Sequence, residues 1–305
     1  MGPLKLAEAR SRGYGLLGQV ILRGLTPTLL IRIQQTPLAS LLSAEPDLDA
    51  LAAEHHQLLS MDIHPYASLF LTPDPGGCIA PIRDACRSAG FHIDTASARP
   101  DHLGIALMLL SFLCGARADA LADDRPQIAA QTEALAQSYL ASHLTPWIAP
   151  LNVAVSAHDQ GFWAAIIGTA CDLAMDHWDG SGTLTLPEAP ALLSESKTGL
   201  RAIATYLLSP CHSGLYLSRA DIGRLSRGVS VPRGFGSREM ELTNLLRTAA
   251  EYGEIGTLME QLDTLLAARS AATSGPHEQV WRSRIVQTQG MVREIRSEAV
   301  ERPVA

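Results

Sequence analysis

Aromatic residues make up only 5% of this 305-residue chain and charged residues only 18%. Pleated sheets select β-branched and aromatic side chains, so their scarcity beside abundant Leu and Ala argues against a strand-rich architecture. Basic residues are also few, 24 against 31 acidic ones, for a formal charge of -7. Such a surface repels a phosphate backbone, which removes the usual footprint of nucleic-acid binding and suits a basic peptide instead. The five cysteines (Cys78, Cys86, Cys114, Cys171, Cys211) are odd in number and widely spaced, with no CxxC pair. Neither a disulfide framework nor a thiolate zinc site is indicated, and reduced thiols fit a cytoplasmic setting. Long apolar runs are missing too. The longest, Leu103 to Cys114, falls short of the roughly 20 residues that cross a bilayer, so it reads as a buried core helix without stable membrane insertion. Glu8 interrupts the opening residues where a secretory signal needs its apolar stretch.

What the chain does have is 47% apolar residues, enough for a sizeable core. Leu and Ala recur at helical spacing over Leu4 to Leu22, Leu48 to Leu59, Ile79 to Ala89, Leu103 to Cys114 and Ile128 to Leu144. Thr145-Pro146-Trp147 reads as a helix start with Thr145 as cap, and Asp159 as the cap of a further helix, Gln160 to Trp178. Gly180-Ser181-Gly182 and the prolines at 187 and 190 mark a loop before helical spacing resumes near Leu192 to Leu208. Ser218-Arg-Ala-Asp221 resembles a capping box, and Glu239 to Tyr252 and Glu254 to Ala267 are amphipathic. Ser270 to Pro276 reads as a linker. Beyond it Trp281, Ile285, Val292, Ile295 and Ala299 share one helical face, able to dock on the chain itself or on a partner. The expected organisation is an all-α bundle over residues 1–208, a small helical extension over 209–270, and a linker with a terminal helix over 271–305.

Three local patterns mimic chemistry. Gly13-Tyr-Gly15-Leu-Leu-Gly18 matches GxGxxG, but the preceding Lys5 to Arg12 is polar and helix-favouring, so close helix packing or a turn is expected. His177 to Glu188 spaces oxygen donors like a calcium loop, yet opens on His where a hard cation wants Asp. His55-His56 with His64, or Cys211-His212, lack further ligands, and adjacent helical residues diverge by ~100°. No nucleophile elbow, HExxH, P-loop or triad signature appears, so no catalytic residue, metal or cofactor is assigned.

Two blocks carry a family pattern. Met61-Asp62-Ile63-His64-Pro65-Tyr66-Ala67-Ser68-Leu69-Phe70 is followed by Arg99-Pro100-Asp101-His102-Leu103-Gly104-Ile105, and Ser142-His143-Leu144-Thr145-Pro146-Trp147 by Gly161-Phe162-Trp163. Together they resemble the TorD-like chaperones, which pair a Pro-Tyr-x-Ser segment with a later Pro-Asp-His and a His-Leu-x-x-Trp. One departure is Ala106-Leu107, where the family usually has Glu-Leu. The resemblance implies an all-α, TorD-like bundle that guards the precursor of a molybdopterin oxidoreductase, and often reads its twin-arginine signal peptide. By the same token it implies a non-enzymatic cytoplasmic protein, monomeric or homodimeric.

Tyr66, Ser68, Pro100, Asp101, His102, His143 and Trp147 are therefore the expected client-binding residues. Asp101 precedes the apolar run and is expected to cap its helix, and with His102 to form an acidic rim for a signal peptide's arginines. His143 and Trp147, four apart, are expected to pack together as a hinge. The competing expectation is a helical metal-binding protein or enzyme using His102 and His143.

Overall fold

The structure is a computed structural model and describes residues 1–93, 99–182, 184–192, 199–229, 236–273 and 278–301. It is all-α: no strand occurs among the described residues, whose single β-type pairing is an isolated antiparallel bridge between Tyr66 and His102. The chain divides into two compact units. The first comprises Met1–Leu69 and Asp74–Leu184, and the second Phe70–Pro73 and Thr185–Ala305.

The first unit holds helices α1 (Pro3–Arg23), α2 (Pro27–Gln34), α3 (Leu48–His55), most of α4 (Ala67–Leu71), α5 (Pro75–Ser88), α6 (Leu103–Ala122), α7 (Pro126–Tyr139), α8 (Thr145–Ser156) and α9 (Phe162–His177). The GxGxxG glycines lie inside α1, not in a turn. A Cβ on Gly18 would stand 2.9 Å from the Gly104 carbonyl oxygen, and one on Gly15 2.8 Å from Ser111 Oγ. Ser11, Gly15 and Gly18 thus form a small-residue stripe at helical spacing along which α6 lies close. Ser11 Oγ donates to the Ser111 carbonyl (2.9 Å) and Ser111 Oγ to that of Ser11 (2.7 Å), which ties the two helices at this closest approach.

Helix α6 runs on past the apolar stretch to Ala122, 20 residues in all. Among the described residues it is the one helix long and apolar enough to cross a membrane, and half of it is buried within the protein. Two π-helical stretches, His56–Asp62 and Leu140–Leu144, extend neighbouring helices. The second runs up to Thr145, where α8 starts as expected but without the expected Thr145 cap. The chain stays helical from α7 into α8, and the Thr145 hydroxyl donates to the Leu140 carbonyl (3.0 Å) instead of capping an amide. α9 starts at Phe162 with Gly161 as its N-cap, two residues later than expected; Asp159 lies just before the cap and accepts from the amides of Gly161 (2.9 Å) and Ala164 (2.6 Å).

The second unit contains α10 (Leu200–Leu208), α11 (Pro210–Ser213), α12 (Arg219–Arg227), α13 (Arg238–Glu251), α14 (Ile255–Ala272) and α15 (Gln279–Glu301). Residues 193–198 of the helix expected from Leu192 lie outside the described residues. The expected linker is shorter at its start, because α14 continues through Ala272; its residues 274–276 also lie outside the described residues. The capping box forms as its sequence suggests: Asp221 N–H donates to Ser218 Oγ (3.0 Å) and Ser218 N–H to Asp221 Oδ2 (3.1 Å). Asp221 also receives the buried Arg269 guanidinium at 3.1 Å. On α15 Trp281, Ile285 and Val292 are buried, so the apolar face of the terminal helix is covered within this unit. Gly214 takes the left-handed conformation (φ 85°), and a Cβ there would meet Ile285 Cγ1 at 2.8 Å.

Candidate functional site

The two sequence motifs around Tyr66 and Asp101 meet in space. Ala67 N–H donates to the Asp101 carbonyl and Leu103 N–H to the Pro65 carbonyl, both at 2.9 Å, so the two short segments pair over the start of α6. The helix cap differs from expectation: His102 takes the role, its Nδ1 accepting from Gly104 N–H at 2.9 Å. Asp101 is instead a buried clamp. Its carboxylate accepts from Ser68 N–H (3.2 Å) and, through both oxygens, from Arg99 Nε (3.1 Å) and Nη2 (3.0 Å). Arg99 Nη2 also donates to Ser68 Oγ (2.8 Å), and the guanidinium carbon lies 4.8 Å from the Tyr66 ring centroid. A forked, charge-assisted pair of this kind fixes geometry as well as adding energy. Pro100 is buried beside it.

A cavity of about 460 Å³ opens against this clamp. Its wall includes Tyr66, Arg99 and His102 from the paired segments, Ile21 and Leu22 from α1, His55 from the end of α3, Leu59 from the first π-helical stretch, and His64. The Tyr66 and His102 rings meet edge to face, 5.1 Å between centroids. Burial is the main cause that pushes the His102 pKa down to about 4; Asp101 opposes the shift and His55 adds to it. With Nδ1 accepting an amide hydrogen, the neutral ring carries its proton on Nε2. His55 is also held below the usual histidine range by burial, and its Nε2 lies 2.9 Å from the Ile21 carbonyl.

The expected site residues therefore separate. Tyr66 and His102 line the cavity, while Ser68, Pro100 and Asp101 stand behind them. His143 and Trp147 are not in its wall. Trp147 is fully buried and its indole N–H donates to the His143 carbonyl at 2.7 Å, while the His143 ring packs on Tyr139 (5.2 Å).

Every one of these residues falls within a single match. Residues 31–152 fit the family model described as nitrate reductase delta subunit. That model stands for the NarJ/TorD-like chaperone family. The family consists of chaperones for molybdoenzyme maturation. No curated protein and no solved structure gives a significant match. The matched stretch leaves out α1, which supplies Ile21 and Leu22 to the cavity, and the whole of Thr185–Ala305.

Arg99 is a cavity residue to which sequence reasoning gives no role, and His55 and His64 are weighed there only as metal ligands. Arg99 stands at the head of its motif, one residue before Pro100-Asp101, and that adjacency is the available signal. The histidine sets considered for metal do not form one. Among the described residues no group of three or more His, Cys, Asp or Glu side chains could hold an ion. At the calcium-like loop, whose residue 183 lies outside the described residues, His177 is buried and turned inward. Its Nδ1 is 3.1 Å from the Tyr14 hydroxyl and its Nε2 3.5 Å from Glu133. Burial alone would raise the Glu133 pKa, but the bonds from His177 and Gln137 and the charge of Arg117 hold it down at about 2.

Proposed function

We propose that this protein is a cytoplasmic chaperone that binds the precursor of a molybdopterin oxidoreductase catalytic subunit and assists cofactor insertion before export, without catalysing a reaction. The observation that carries this reading is the cavity built by the paired Tyr66 and His102 segments inside the TorD-like stretch. Tyr66 and His102 would touch the client, Ser68, Pro100 and Asp101 would hold the cavity's shape, and His143 with Trp147 would brace the α7–α8 passage. The client segment would be part of the precursor's twin-arginine signal peptide. Release before export requires only moderate affinity, on the order of micromolar or about -8 kcal/mol.

The test is capture of a molybdoenzyme precursor by the full-length protein, repeated with the signal peptide deleted and with Tyr66→Ala. Loss of capture in both supports the proposal. Undiminished capture of the signal-deleted precursor removes the signal-peptide part, and undiminished capture by Tyr66→Ala removes the assignment to this cavity.

A further inference from the structure

The wall of the cavity is rich in hydrogen-bond donors, and no carboxylate is on it among the described residues. Arg99 has five N–H donors. Nε and Nη2 are committed to Asp101 and Ser68, and the two Nη1 hydrogens have no acceptor among the described residues. His102 retains only 8% of its surface exposed, lines the cavity, and spends Nδ1 on Gly104, so its Nε2–H likewise faces no acceptor among the described residues. Arg99 and His102 both line the cavity, so a ligand oxygen placed in it could accept from these two donors. The 20-residue α6 begins at His102, and its dipole adds positive potential at the same point. Ile21, Leu22, Leu59 and Leu69 give the wall an apolar part, beside the polar His55, Ser60, His64 and Tyr66.

We propose that this cavity recognises a side-chain carboxylate, a glutamate or aspartate flanked by apolar residues in the client segment, held by Arg99 Nη1 and His102 Nε2. Asp101 is fully buried and paired with Arg99, so it is not offered to a cationic client. The basic part of a client is then drawn by the chain's overall charge of -7, outside the cavity. This inference rests on the reading that the cavity is where the client binds.

Four acetylated pentapeptides test it against the full-length protein by isothermal titration: Leu-Leu-Glu-Leu-Leu, its Gln and Arg counterparts as amides, and an all-Leu peptide with a free C-terminal carboxylate. The glutamate peptide is expected to bind at least tenfold tighter than the other three. His102→Asn, which keeps an acceptor for Gly104 N–H, and Arg99→Lys, which keeps a cation for Asp101, are each expected to reduce that preference to threefold or less. Equal or tighter binding of the Gln or Arg peptide overturns the inference. Tighter binding of the free-acid peptide overturns the side-chain assignment. An undiminished preference in both variants overturns the assigned donors, and no binding of any peptide overturns the inference as a whole. Precursor capture by the same protein preparation then tells whether the chaperone reading falls with it.

Discussion

At the scale of single residues, the site is organised by the division of labour between Asp101 and His102. Asp101→Ala would leave the Ser68 amide and the Arg99 fork without their acceptor. Because Arg99 is about half exposed, its charge is partly rescued by water, and a loss of about 2 kcal/mol in urea unfolding is expected. His102 makes a prediction about acid. Its folded pKa, about 4, lies below the ordinary histidine value of 6.5, so as pH falls the unfolded chain takes up the proton first. The corresponding stability is intact above pH 6.5 and is lost between 6.5 and 4, by about 3 kcal/mol. His102→Asn should flatten that part of a plot of urea midpoint against pH while keeping the cap; an unchanged slope would show that other groups carry the acid response. Both residues are legible at the site from their motif, but with their roles exchanged. Asp and His both accept amide hydrogens, both stand just before α6, and only the Arg99 fork decides which of them is free to cap.

At the scale of elements, the apolar periodicity of α1, α6, α7, α13 and α14 is legible because each buries one stripe against neighbours. The short α2 and α4 are not, since eight and five residues give too few turns for a period to emerge. Nor is the π turn over Leu140–Leu144, which joins α7 to α8 without a break. The cavity wall cannot be read either, because Ile21, His55 and Tyr66 come from separate elements that only folding brings together. The glycine stripe on α1 is correctly separated from a nucleotide loop by the polar residues before it. Gly18→Ala is expected to push α1 from α6 and to destabilise the first unit by about 1–3 kcal/mol, read as a lowered melting temperature. Gly214→Ala meets both a left-handed backbone and the Ile285 side chain, so a larger loss is expected in the second unit.

At the scale of the whole molecule, each unit has its own buried core, and the cavity with its clamp lies in the first. Trp281, 1% exposed on α15, belongs to the second. Trp281→Ala should cost about 3–5 kcal/mol there. Hydrogen exchange should show α14 and α15 opening faster while the amide of Gly104 keeps its protection; equal loss in both places would mean that the two cores fold as one. The cysteines supply a readout for such an experiment. Cys78, Cys86, Cys114 and Cys171 lie in the first unit and Cys211 in the second. Burial raises the thiols of Cys78 and Cys86 to about 11 and that of Cys114 to about 12, and raises Cys211 as well. Near neutral pH, alkylation of the buried Cys86, Cys114, Cys171 and Cys211 therefore waits on local opening, whereas the partly exposed Cys78 does not. The native protein already holds two sets of chemical clocks, and peptide mass spectrometry after timed iodoacetamide exposure would time the breathing of each half without an engineered cysteine.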